Sequence, residues 1–350
     1  MPDCFKPIRF PQDELPHNKI IEWWYFNGHL WDEHKNHYAF MYAFFKADLK
    51  RVKLPWLKIL PVKNIYFEHS MISDVKNNKF QATISPFCLL LPKKSKRPLL
   101  SLRYLGQLPN VSFLKETKPF SYRLKTKNLD LTLTSAKKPL LENQTGFIKL
   151  KPGRETWYYS LTDLAASGEI RIGKKTVKVA GQSWHDHQWA DAPYENDYWL
   201  WFSVQLENGM EIICFEYGRE IKKRLATVMY KNCAQKTFDV EIIPGKNSWT
   251  SPQTGASYPQ EWEIIIPKGK IKLVVNSLNK NQEMIYGLIN YWEGGLSVKA
   301  EIAGEKIKGL GFAELVGLPA AKNLIEIFSS KFKREFDRSL ERLKIAKGRQ

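Results

Sequence analysis

The densest set of groups able to do chemistry lies in "VAGQSWHDHQWAD", residues 179–191, with two histidines, two aspartates and two tryptophans. If residues 181–190 form a strand, side chains alternate between its faces. Gln182, Trp184, Asp186 and Gln188 then share one face, and Ser183, His185, His187 and Trp189 the other. Three chemistries fit. An HxH pair on a strand, His185 and His187, sets two imidazoles on one side as metal ligands do, with His69 or Glu293 as candidates for a third. A carboxyl flanked by tryptophans, Asp186, loses hydration, so its pKa rises. Still protonated near neutral pH, it can give a proton to an alkene or carbonyl, with indole faces steadying the cation that forms. In the third reading the polar groups only satisfy hydrogen bonds where the chain passes between two barrels.

Other stretches offer parts for the same site. In "DYWLWFSVQLENG", Leu200, Phe202, Val204 and Leu206 line one face and Trp199, Trp201, Ser203 and Gln205 the other. Both faces can be buried, as where a strand separates a cavity from a packed exterior. In "NYWEGGLSV", Glu293 beside Trp292 is a second acid or a salt-bridged glutamate at a turn, and Tyr291 precedes them. Glu22 in "IEWWYFNGHL" is equally ambiguous, with Trp24 beside it. His69 in "FEHSMISD" either faces a ligand or is buried and hydrogen-bonded. No GxSxG elbow, Walker motif or HExxH occurs, which weighs against hydrolase, NTPase and zinc-protease chemistry.

The elements that must position these residues are short and alternating. Residues 22–47 predict two strands around a polar loop at Asp32–Asn36. Asn208-Gly209 supplies the positive φ angles of a tight hairpin turn. Further hairpins are predicted with turns at Gly173–Lys175, at Pro267–Gly269 and near Gly304. Almost no long amphipathic helix precedes residue 319, and there is no GxGxxG motif, so antiparallel sheets or barrels are expected rather than a doubly wound α/β fold. The polar segment "ADAPYEND", residues 190–197, is the candidate domain boundary. Leu324, Phe328, Phe332, Phe336, Leu340 and Leu343 form an apolar stripe among basic residues. That pattern predicts a helix, docked on the barrels or resting on an anionic membrane surface.

Bulk properties bound the partners. The chain has 350 residues, room for two domains, and its 43% hydrophobic content can bury a sizeable core. Twelve Trp, fifteen Tyr and nineteen Phe favour strands and apolar ligand cavities. The formal net charge of +18 is spread along the chain, with concentrations at Lys46–Lys63, Lys93–Arg103 and Lys322–Arg349. No RNA-binding signature, zinc-finger spacing or convincing helix-turn-helix accompanies it, so no nucleic-acid partner is expected. Cys4, Cys88, Cys214 and Cys233 form no CxxC pair and read as reduced thiols. The N-terminal stretch has no apolar run suited to a signal peptide, and no stretch approaches 18 consecutive apolar residues; a cytoplasmic protein, with peripheral membrane contact at most, is expected.

Taken in order, "FPQDELPHNKIIEWWYFNGHL", "FEHSMISD", "GQSWHDHQW", "WLWFSVQLENGMEI" and "NYWEGGLSV…GLGFAELVGL" resemble the AttH-like and hydroxyneurosporene synthase (CrtC) family over roughly residues 9–318. The resemblance implies two lipocalin-type β-barrels in tandem, with an apolar interior for a lipid- or isoprenoid-like ligand. It also implies the chemistry of the carotenoid 1,2-hydratases, which add water across a terminal alkene without a redox cofactor. The aspartate of the Trp-x-Asp motif, Asp186 here, fits the acid of that chemistry. "WHDHQW" and "EWWY" lean towards the AttH-like branch. Members often carry a leader peptide or lipid attachment, which this sequence does not display.

The expectation is an all-β chain of two lipocalin-like antiparallel β-barrels (1–192 and 193–318) followed by a basic amphipathic α-helix (319–350). Asp186 and Glu293 are the candidate catalytic acids, with Asp186 stranded inside the first barrel among indoles. Trp24, His69, Trp184, His185, His187, Trp199, Trp201 and Tyr291 are the candidate ligand-binding residues. No metal and no cofactor is assigned. The expected activity is cofactor-independent hydration, cyclisation or isomerisation of an apolar molecule; the alternative is a non-catalytic carrier, touching an anionic membrane through residues 321–350.

Overall fold

A computed structural model describes residues 7–49, 51, 62–91, 98–107, 110–192, 197–287, 289–327, 329–330 and 333. The chain is all-β: two curled, antiparallel, half-barrel sheets in tandem. From one edge, the first sheet runs through Lys79–Ser85, Asn64–Asp74, His37–Asp48, Ile21–Trp31, Lys175–Ala190, Arg154–Ile172, Leu129–Ser135, Ser121–Lys125, Asn110–Lys118, Ser101–Gln107 and Leu89–Leu90. The second runs through Gln235–Phe238, Lys223–Met229, Glu211–Tyr217, Trp199–Leu206, Glu305–Val316, Ile289–Ile302, Ile271–Ser277, Glu261–Ile266 and Glu241–Pro244. In each sheet the first long strand pairs with the last: Ile21–Trp31 with Lys175–Ala190, and Trp199–Leu206 with Glu305–Val316.

The predicted hairpins form where turn chemistry demanded them. Gly209 turns at φ +76° between Trp199–Leu206 and Glu211–Tyr217, but Asn208 does not share the positive φ expected of it: Leu206 and Met210 close a loop of three residues, with Gly209 alone in the left-handed region. Pro267–Gly269 is one 3-10 turn joining Glu261–Ile266 to Ile271–Ser277. Residues 324–327 are helical, but apart from Leu324 the stripe predicted for the C-terminal helix lies outside the described residues. No described helix is long and apolar enough to cross a membrane. Cys88, Cys214 and Cys233 are free thiols, and Cys4 lies outside the described residues.

Among the described residues, strand alternation sorts most of the aromatic side chains into three large cores, with a small fourth cluster around Phe67. Trp24, Phe26, Phe40, Tyr42, Tyr122 and Tyr159 fill the concave side of the first sheet. Leu200, Phe202, Val204, Trp262 and Trp292 fill the second. A third core belongs to both sheets: Tyr25, Met41, Met71, Tyr158 and Trp184 from the first meet Trp201, Ile213, Phe215, Tyr291 and Phe312 from the second. Where the long strands meet this third core they are buried on both faces, which is why runs such as His37–Asp48 are apolar almost throughout. Gly295 allows the close approach, since a Cβ there would lie 3.0 Å from the Ala39 Cβ and 3.0 Å from the His29 ring.

Candidate active site

The strand Lys175–Ala190 carries the two faces expected from alternation, but they look into different cores. Trp184 and Asp186 point to the shared core between the sheets, whereas His185, His187 and Trp189 lie with the first sheet's own core. The placement of Asp186 inside the first barrel is thereby corrected: the carboxyl sits in the seam, and it is not alone there. Alternation separates two faces but does not say which looks inward.

Asp186 is 3% exposed. Its Oδ1 accepts from the Ser160 hydroxyl at 2.6 Å and the Trp184 indole N–H at 2.6 Å, and its Oδ2 from the Tyr158 hydroxyl at 2.5 Å. Trp201, from the second sheet, donates its indole N–H to the Tyr158 oxygen at 2.9 Å. Ser160 and Tyr25 are the cross-strand neighbours of Asp186 on either side. Burial pushes the carboxyl up to about 7, against the pull of the Ser160, Tyr158 and Trp184 donors.

The second sheet presents a matching arrangement. Glu314 lies directly opposite Trp201 on one side and Glu293 on the other. Like charges facing each other across strands are unfavourable, so this pair, with Glu293 buried and Glu314 half-buried, favours holding a proton. The Tyr25 hydroxyl donates to Glu293 Oε1 at 2.5 Å, and the Trp199 indole N–H to Glu314 Oε2 at 2.7 Å. Burial, with Glu314 beside it, raises Glu293 well above the usual carboxylate range, and burial raises Glu314 to about 7. A fourth acid, Glu142, stands near Asp186; it takes a hydrogen bond from Thr227 at 3.2 Å and is raised well above its ordinary value, mainly by burial. No described ion pair involves Asp186, Glu142, Glu293 or Glu314. The seam is thus a set of carboxyls held by neutral donors, able to store and release protons.

His69 and Tyr291 also belong to the seam, with His69 Nδ1 and the Tyr291 hydroxyl 2.6 Å apart. The His69 Nε2 is buried without a hydrogen-bond partner, and burial lowers the ring to about 3, so it is neutral. The structure therefore gathers Asp186, Glu293, His69, Trp184, Trp199, Trp201 and Tyr291. It sets Trp24, His185 and His187 apart, on the concave side of the first sheet. Residues missed in the sequence are Tyr25, Glu142, Tyr158, Ser160 and Glu314. Glu314, in "GLGFAEL", carried the signal that marked Glu293, a lone acid in an apolar run.

The metal reading of the histidine pair takes another form. His69 and Glu293 are on the opposite side of the sheet from His187. Instead, His17, Glu22 and His187 bring ligand-type atoms within 4.8 Å of one another. Glu22 Oε1 lies 2.8 Å from His17 Nδ1 and 3.0 Å from His187 Nε2, while Lys46 donates to Oε2 at 3.0 Å. Burial opposes its charge, but hydrogen bonds from His17 and His187 outweigh that and hold Glu22 at about 2. With Lys46 supplying the countercharge, this is an ion-pair hub tying the N-terminal segment to the sheet.

The chain matches the model of the AttH-like family over residues 2–318. Among solved structures, a protein assigned as AttH from Nitrosomonas europaea aligns with a TM-score of 0.73 at 23% identity, covering 91% of this chain and 99% of that one. Kievitone hydratase from Nectria haematococca aligns with a TM-score of 0.70 at 16% identity, covering 90% and 94%. CghA with Sch210972 aligns at 0.50 and 11% identity, covering 85% and 88%. At these identities the likeness is one of fold. No curated protein sequence matches.

Proposed function

Since the chain belongs to the AttH-like family, we propose that it binds an unsaturated, apolar, isoprenoid-like molecule at the seam between its two sheets and transforms it by acid catalysis. Asp186 is the proton donor in this reading. Its proton goes to one carbon of a double bond, whose π electrons form the new C–H bond and leave a carbocation on the other carbon. Trp184 and Trp201, in edge contact at 6.4 Å, flank the acid; an indole face presented to the cation favours it by ~0.5–2 kcal/mol. Addition of water to the cation forms the C–O bond, and the surplus proton returns to the Asp186 carboxylate. Loss of a proton from a neighbouring carbon, or attack by a second double bond, would give isomerisation or ring closure from the same cation.

The observation that carries this reading is a buried acid whose donors are all neutral: Tyr158, Ser160 and Trp184 hold Asp186, and no described cation fixes its charge. Glu293 and Glu314 lie near enough to oppose a further negative charge and so help to keep protons in the seam. That kievitone hydratase shares the fold is compatible with hydration here; the choice of acid rests on this chain's own contacts. Incubation with a panel of unsaturated isoprenoids in heavy-oxygen water tests the reading. Label appearing in product supports hydration, unlabelled isomers support the cyclising or isomerising branch, and unchanged substrates across the panel oppose catalysis.

A second reading, a carrier that leaves its ligand unaltered, is favoured by the full engagement of both Asp186 oxygens. In that reading residues 321–350 hold the carrier at an anionic membrane. Native mass spectrometry of protein from its own source, showing an unmodified co-purified ligand, would support it; liposome binding unchanged by deletion of 321–350 would remove its membrane part.

A further inference from the structure

At one end of the seam a groove of about 390 Å³ opens between the second sheet and the chain that leaves it. Ligand pockets of this order accept a small organic molecule. Its apolar wall includes Ile289, Val316, Leu318 and Leu324. Trp199 also lines it, and the same indole donates to Glu314 at 2.7 Å. One side chain therefore separates the groove from the acids of the seam.

The charge at the groove is one-sided. Arg219 and Lys322 line it and are exposed. Arg219 donates to the Gly317 carbonyl at 2.5 Å and lies 5.5 Å over the Tyr198 ring; Lys322 donates to the Pro252 carbonyl at 2.8 Å. Neither cation has a carboxylate partner among the described residues. Asp197 is the acid of the lining, and Arg154 at 2.6 Å and Lys151 at 3.4 Å already offset its charge. An apolar trough with two cations at its rim matches a molecule with an acidic head and a greasy body, because a guanidinium pairs with a carboxylate through two parallel hydrogen bonds.

We propose that this groove is the entrance to the seam and that it selects an unsaturated apolar molecule bearing a carboxylate, which docks on Arg219 and Lys322 while the chain passes Trp199 towards Glu314. The inference rests on the seam being the binding site and narrows its substrate class from apolar to acidic-headed. It also gives Trp199 a second task, as the wall a substrate must move past.

Equilibrium binding of cis-parinaric acid and of its methyl ester, followed by fluorescence, separates the alternatives. The acid should bind about tenfold tighter than the ester or better, and added salt should narrow the gap. The double variant Arg219→Ala/Lys322→Ala should bring the two affinities together, and Arg219→Gln, which keeps a polar side chain at that site, should go part of the way. Equal affinities in the unaltered protein, a ratio untouched by the double variant, or no binding of either probe would overturn the proposal. The readout needs no turnover: failure of every substrate to react would sink the catalytic reading and leave this ratio standing.

Discussion

Tyr25 reaches across the seam, from the first sheet to the second, and donates a hydrogen bond from its hydroxyl to Glu293 Oε1 at 2.5 Å. Trp201 returns the contact in the other direction, donating to Tyr158, which in turn holds Asp186. Tyr25 stands opposite Asp186 in its sheet and Trp201 opposite Glu314 in the other. Each sheet thus sets an aromatic residue of its first long strand beside an acid of its last, and each aromatic serves the acid network of the other sheet. Loss of Tyr25 should therefore be felt as loosened docking. Tyr25→Phe keeps the ring and leaves a buried carboxyl without its donor, at a cost of about 1–3 kcal/mol in urea denaturation.

The protonated seam makes stability depend on pH in an unusual direction. Burial raises Asp186 from an ordinary 3.8 to about 7 and Glu314 from 4.5 to about 7. Between those values the folded state holds protons that the unfolded chain has released, so these groups lower stability as pH rises from about 4 to about 7. Asp186→Asn removes one such group. The stability of the variant relative to the unaltered protein should therefore rise across that window in denaturation series at stepped pH. A difference that is flat with pH would mean Asp186 is charged in the fold.

Glu22 behaves oppositely. It is held at about 2, so its contribution is complete above 4.5 and is lost as pH falls towards 2. Glu22→Gln strands the buried Lys46 ammonium and weakens the tie to His17 and His187, and should cost about 3–5 kcal/mol at neutral pH. Chemical denaturation measures it, and the gap between variant and unaltered protein should shrink in acid.

Gly295 is where the two sheets come closest to touching through a glycine. Gly295→Val would press new methyl groups on Ala39 and His29, and should destabilise by about 1–3 kcal/mol. Thermal melting reads the loss. Near-ultraviolet circular dichroism should change as well, because the indoles of Trp184 and Trp201 lie in the same shared core.

Much of this was legible in the sequence. Period-two patterns and turn residues such as Asn208-Gly209 place the strands, and alternation separates Asp186 from His185 and His187 within one strand. Which face meets which core was not legible, because both faces of Ser183–Ala190 are buried and burial is what the pattern reports. Glu314 and Tyr158 were missed because only strand register brings them beside Glu293 and Asp186. The third partner of His187 was missed for a related reason: His17 comes from an irregular segment whose path no periodicity encodes.

The most direct test of the seam as an acid site is Asp186→Asn, which keeps the size of the side chain and removes the transferable proton. Turnover of whichever isoprenoid the unaltered protein converts should fall by about 10²–10⁴-fold, with substrate affinity little changed at a pH where the variant stays folded. Turnover that survives the substitution at its original rate would contradict the account.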